Sequence, residues 1–170
     1  MKWGMFAAGL AAGAMLILLI QQFVLQPSIS PVFSPDGGER ILSLIDGAQN
    51  SLDIEVYVFT SKDVIQALER AEARGVGIRI IIERNVMGGQ NDATYRRLAS
   101  EGFNIRYART DVALTHSKFI IVDGKWVLVG SHNFSNSALY ENREASVIIR
   151  DVATVASFED VFEEDWRVAN

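Results

Sequence analysis

Hydrophobic and polar positions divide the chain into one long apolar stretch and a series of short periodic segments. No charged residue falls between Trp3 and Ile20, and apolar character returns at Phe23-Val24-Leu25. That length matches the roughly 20 residues of a membrane-spanning helix, in which Gly4, Gly9 and Gly13 are tolerated. Lys2 and the amino terminus form a positive flank, which predicts a cytoplasmic start and an exported remainder. A cleaved signal sequence is the alternative. Against it, the run exceeds a signal core of ~7–15 residues, and no small-x-small site follows Leu19. Residues 1–25 are therefore read as a transmembrane anchor or signal sequence. Residues 26–31, with Pro27 and Pro31, read as a linker, and 32–170 as one domain. The domain is expected to be membrane-anchored on the extracytoplasmic side, or periplasmic or secreted if the segment is cleaved.

Beyond the linker the periodicity switches between two and 3.6. Residues 32–34 open as a strand, and Pro35-Asp36-Gly37-Gly38 reads as a turn. Ile41, Leu42, Leu44, Ile45 and Ala48 share one side of a helix over 39–48. Leu52, Ile54, Val56 and Val58 alternate with Asp53, Glu55 and Tyr57 in a strand over 51–60. A helix begins at Ser61 and stops at Gly75. Strands are predicted over 77–83 and 103–108 with a helix over 91–100 between them, then a strand over 145–149 and an amphipathic helix over 153–168. Alternating strands and helices predict an α/β fold, a mixed sheet with helices on both faces. Glu55, Tyr57 and Phe59 are read as a strand face against a helix rather than as catalytic groups.

The chemistry concentrates between residues 116 and 144. Phe119-Ile120-Ile121-Val122 reads as a strand, Asp123-Gly124 as a tight hairpin turn, and residues 125–129 as the return strand. Alternation points His116 and Lys118 the same way, and the hairpin brings Gly130-Ser131-His132-Asn133 back beside them. An imidazole, an ammonium, a hydroxyl and an amide then converge on one spot, which suits a phosphoryl group. Fixed donors stabilise its oxygens, and imidazole serves as nucleophile or acid near neutral pH. Singly, each residue has an ordinary explanation: an exposed lysine, an aspartate at a turn, Ser131 and Asn133 capping a short helix over 134–139, Glu144 pairing with Arg143 or Arg150. Together they spell H-x-K-x4-D-x6-G-S-x-N.

That string resembles the HKD motif of the phospholipase D superfamily. The resemblance implies that His116 is the catalytic imidazole, with Lys118, Ser131 and Asn133 as the charge clamp. It gives Asp123 a supporting place in the motif's architecture. It also implies that Glu144, in Glu141-Asn142-Arg143-Glu144-Ala145, holds the nucleophilic ring in its tautomer. The family mechanism uses two motif histidines, one forming a phosphohistidine and the other protonating the leaving group. This chain has two histidines, and the second, His132, fills a variable position two residues after Gly130. No second H-x-K and no internal repeat exists. Either two copies share one site across a two-fold axis, as in the small single-motif bacterial endonucleases and their mitochondrial-surface relatives, or the chain is inactive. His132 as an in-chain second histidine is a further option.

A net charge of −5 looks unfavourable for a nucleic-acid enzyme, but the acids are unevenly placed. Asp151, Glu159, Asp160, Glu163, Glu164 and Asp165 face only Arg167 in the last helix, which reads as a solvated acidic face. Elsewhere charge is balanced, and Arg79, Arg84, Arg96, Arg97, Arg106, Arg109, Lys118, Lys125 and Arg143 are candidates to line a groove. Cysteine is absent, so disulfides and cysteine metal sites are excluded. No cofactor and no metal are expected. The leading expectation is a metal-independent endonuclease on DNA or RNA; a phospholipase D or cardiolipin hydrolase and a non-catalytic diester-binding module are the alternatives.

Overall fold

The computed structural model describes Gly13, Met15 and residues 28–170. Apart from those first two residues, the predicted anchor lies outside the described residues. Among those described, no helix is long and apolar enough to cross a membrane.

Seven strands, β1 (Ser28–Phe33), β2 (Ser51–Val56), β3 (Gly77–Ile82), β4 (Asn104–Tyr107), β5 (Lys118–Val122), β6 (Trp126–Gly130) and β7 (Ala145–Arg150), form one sheet in the order β1-β7-β6-β5-β2-β3-β4. The β2-β3-β4 pairs are parallel and the rest antiparallel, which is the mixed sheet the sequence predicts. Helices α1 (Gly38–Asp46), α2 (Lys62–Ala73) and α3 (Gln90–Ser100) contribute to the core on one side, and α4 (Val152–Val168) covers the other.

Period-two patterning explains both layers. Leu52, Ile54, Val56, Ile78, Ile80, Ile82, Ile120 and Val122 pack with Ile41, Ile45, Leu68 and Leu98. Ile81, Phe119, Ile121 and Val127 pack with Val155, Phe162 and Trp166 of α4. Each such side chain, fully buried, contributes about 1.5–3 kcal/mol. Helix α2 begins where the sequence indicates, with Ser61 Oγ accepting from Val64 N at 3.5 Å, and ends before Gly75 at φ +86°.

Four expectations need correction. Residues 28–31, read as linker, are edge strand: Ser28 to Phe33 pair with Arg150 to Ala145, and Pro31 is tolerated because an edge strand has a free side. The strand predicted over 51–60 stops at Val56, where its pairing with Lys118 of β5 ends. The short helix predicted over 134–139 is a single turn at Ser137–Glu141. The acidic residues of α4 are only partly a solvated face. Glu163 binds Arg79 at 2.6 Å, while Glu164 and Asp165 bind Arg109 at 3.2 and 2.8 Å.

The β5–β6 hairpin turns through Asp123 (φ +54°) and Gly124 (φ +61°), a conformation for which Asp and Gly are suited. The Asp123 carboxylate accepts from the backbone N–H groups of Gln49 (3.1 Å), Asn50 (2.6 Å) and Ser51 (3.0 Å). Burial raises its pKa, but the amides of Ser51, Asn50 and Gln49 outweigh burial and hold it below the usual value. Asp123→Ala is expected to cost about 1–3 kcal/mol in urea unfolding, with Asp123→Asn costing less. Because the folded pKa is depressed, the carboxylate's contribution is present above the ordinary Asp range and lost as pH falls through the lowered value.

Candidate active site

The sheet's antiparallel half gathers the motif at one end. Lys118 starts β5, Gly130 ends β6, Ala145 starts β7 and Val56 ends β2. Pairing of Lys118 with Val56, Phe119 with Val129 and Gly130 with Ser146 brings these ends into register. Asp123 sits at the opposite end of β5, about 16 Å away at the rise of a strand. It anchors the hairpin and lies away from the other five motif residues.

His116 is exposed, just before β5. Its ring packs against Tyr57, with centroids 4.4 Å apart and planes at 52°. Lys118 is 8% exposed. Its Nζ donates to the His116 carbonyl at 2.5 Å, stands 3.3 Å from His116 Nδ1 and lies 5.2 Å from the Tyr57 ring centroid. Burial lowers the Lys118 pKa, and the Glu144 charge opposes that shift. Ser131 Oγ donates to Glu144 Oε2 at 2.5 Å and accepts from Ala145 N at 3.0 Å. Asn142 Nδ2 donates to Glu144 Oε1 at 3.0 Å. Burial raises the Glu144 pKa, but Ser131, Asn142 and the nearby His132 and Lys118 outweigh burial and keep the carboxyl below its ordinary value. Asn133 Oδ1 accepts from Val58 N at 3.2 Å.

Two cavities flank this rim. One, about 520 Å³, is lined by amides and hydroxyls, including Thr60, Gln90, Asn133, Ser135, Asn136 and Asn142. The other, about 440 Å³, holds His116 and Lys118 beside Phe119, Val129, Phe158 and Val161, and is largely apolar. Among the described residues no three His, Asp or Glu side chains converge as metal ligands.

The family described as Cardiolipin synthase, PLD-like domain, matches residues 41–166. The chain belongs to this phospholipase D-like family. It is 32% identical over 127 residues to a mitochondrial cardiolipin hydrolase of Mus musculus, covering 75% of this chain and 57% of that protein. It is 30% identical over 138 residues to a phospholipase D of Rickettsia conorii, covering 76% and 65%. Among solved structures it is similar to Nuc, a phospholipase D family member from Salmonella typhimurium. The TM-score is 0.79 at 32% identity, covering 85% of this chain and 97% of that one. The chain spans less than two thirds of the length of the curated relatives it matches.

In this phospholipase D-like chain the two histidines have different settings. His132 is 2% exposed and fixed at both nitrogens, Nε2 at 2.8 Å from Ser34 Oγ and Nδ1 at 2.7 Å from Ser146 Oγ. Ser34 Oγ donates its only hydrogen to Leu139 O, so Nε2 of His132 is the donor and Nδ1 accepts from Ser146. Burial pushes the His132 pKa down, against the Glu144 charge, which favours the neutral ring. Buried and doubly bonded, His132 holds β1 and β7 together, and the option of an in-chain second histidine is withdrawn. Within one chain Glu144 is held by Ser131 and Asn142. Among the described residues of one chain no hydrogen bond joins it to His116, whose Nδ1 stands 3.3 Å from Lys118 Nζ.

Sequence reasoning missed the residues beneath the rim. Glu83, 3% exposed, accepts from Asn85 N at 2.7 Å and from Thr115 N at 2.8 Å, anchoring the residue before His116. Asn91, fully buried, accepts from Phe59 N and donates to Tyr57 O and Glu83 O, each at 2.7 Å. Neither carries a sequence signal: one ends a strand and the other begins a helix. The basic groove shrinks as well. Arg79 is held by Asp53 and Glu163, Arg97 by Glu69 and Glu101, and Arg109 by Asp111, Glu164 and Asp165.

Proposed function

We propose that the chain is a metal-independent phosphodiesterase with His116 as nucleophile, acting as a homodimer on DNA or RNA. The observation that carries this is the pairing of an exposed imidazole with a buried lysine, 3.3 Å apart, at the rim where Ser131 and Asn133 also lie. His116 attacks phosphorus, forming an N–P bond while the P–O bond to the leaving alcohol breaks. The protonated His116 of a second copy gives that alkoxide its proton, then takes one from the water that hydrolyses the phosphohistidine. Lys118, Ser131 and Asn133 stabilise the phosphoryl oxygens. Glu144 holds Ser131, and Asp123 holds the hairpin.

The polar cavity beside Asn133 supports a nucleic-acid substrate, since amides and hydroxyls match sugar and base edges. Glu141 also lines it, and Arg143, exposed two residues on in the chain, has no ion pair among the described residues. The apolar cavity at His116 favours a second reading, hydrolysis of a phospholipid whose chains occupy it. Residues 1–25 would anchor the enzyme, with the domain on the extracytoplasmic side.

The purified full chain, treated with chelator, is expected to cleave plasmid DNA, single-stranded DNA or RNA. Turnover of cardiolipin vesicles alone would move the substrate to lipid. Hydrolysis appearing only with added divalent metal would sink the mechanism.

A further inference from the structure

Glu55 is a carboxyl that the mechanism leaves unused and that the fold buries to 2% exposure on β2. One oxygen, Oε1, accepts from Ser117 Oγ, between the two motif residues His116 and Lys118. The other, Oε2, is buried without a hydrogen-bond donor. The same carboxyl lines the apolar cavity that holds His116 and Lys118. Across from it on α4 is Asp165, 14% exposed and bound to Arg109 at 2.8 Å, which Asp111 and Glu164 also neutralise. The Asp165 charge acts against ionisation of the buried Glu55 carboxyl.

We propose that Glu55 is a positioning residue for the active site, its buried carboxyl holding Ser117 and so fixing the segment that carries His116. Ser117 points away from His116 and Lys118 by strand alternation, so Glu55 acts on the motif through Ser117 rather than through either of those side chains. The backbone reinforces the link: Tyr57 N donates to Ser117 O at 3.1 Å, and the Tyr57 ring packs on His116. Burial, partly opposed by the Ser117 bond and reinforced by Asp165, pushes the Glu55 pKa up to about 7, with Arg109 pulling the other way. The groups facing it are thus Asp165 and Arg109 on the α4 side, and His116 and Lys118 across the cavity. Above neutrality an ionised Glu55 repels Asp165, and the grip on Ser117 loosens.

This rests on the hydrolase reading of His116, and two measurements separate the two ideas. The first is a backbone-amide NMR titration of Ser117 in the full-length His116→Ala chain, where the motif imidazole no longer titrates. A step near pH 7, lost when Glu55→Gln is added, is expected; no step, or a step indifferent to Glu55→Gln, overturns the proposal. The second is the pH profile for hydrolysis of bis(p-nitrophenyl) phosphate. At pH 8.5 wild type should fall several-fold below Glu55→Gln, with about 30-fold as the ceiling, since 1.5 pH units above a pKa of about 7 leaves ~3% of the carboxyl protonated. At pH 5.5 the two should agree within about twofold, because Gln mimics the neutral acid. Superimposed profiles would overturn the positioning role and leave Glu55 as packing. If wild type hydrolyses nothing at any pH, the hydrolase reading falls without deciding the role of Glu55. The Ser117 titration would still report whether Glu55 grips that segment.

Discussion

His116→Ala is expected to lower diester hydrolysis by at least about 10³-fold while leaving the melting temperature within a few degrees. The imidazole is exposed, and its contacts are the Tyr57 ring and the Lys118 ammonium, so its removal opens no core cavity. Chemically the loss is double. In a homodimer with a shared site, one substitution removes both the nucleophile and the group that protonates the leaving alcohol. Mixing gives a sharper result. If wild-type and His116→Ala chains exchange freely and each site needs both imidazoles, equal mixtures should retain about a quarter of the wild-type rate rather than half. A value of one half would mean that each chain works alone, and the dimeric site would then be wrong.

Asn91→Ala is expected to cost about 3–5 kcal/mol in urea unfolding, a large effect for one surface-distant amide. Asn91 is fully buried and makes three 2.7 Å bonds to the backbone of Phe59, Tyr57 and Glu83. Truncation leaves one buried N–H and two carbonyls without their Asn91 partner. The segment it holds carries Tyr57 against His116 and Val58 against Asn133, so turnover should fall as well, in protein that remains folded at low denaturant. Asn91→Asp should also destabilise, since it keeps the acceptor, loses both donors and buries a charge. Unfolding midpoints unchanged by either substitution would show that the 57–60 segment is held by other contacts, among them Phe134 O with Thr60 N and Ser61 N.

Much of the sheet was legible because its strands obey simple alternation and its helices carry ordinary start and stop residues. Leu52, Ile54 and Val56 showed period two, and Ser61 and Gly75 bracketed α2. The HKD string also located the rim, since a hairpin turning at Asp123-Gly124 must return Gly130 to the level of Lys118. What escaped was long-range. Pro27 and Pro31 made 26–31 look like linker, and only the partner strand β7 reveals Ser28–Phe33 as an edge strand. Glu55 reads as part of a strand face against a helix, and α4 does lie over that face, but its bond to Ser117 left no mark on the sequence. The same helix converts Arg79 and Arg109 from apparent groove cations into partners of its own acids. Asn91 and Glu83 bind backbone groups, and backbone groups leave no mark on sequence.

The edge strand β1 also gives the domain a direction. Phe33 pairs with Ala145 at the rim, whereas Ser28 pairs with Arg150 at the other end of the sheet, about 17 Å away at the rise of an extended chain. Anything that holds this protein through residue 28 therefore grips it by the heel, with His116 at the toe. A tether of that kind aims the catalytic rim outward, toward polymers in the surrounding fluid or toward a facing surface, and away from the surface to which it is fastened.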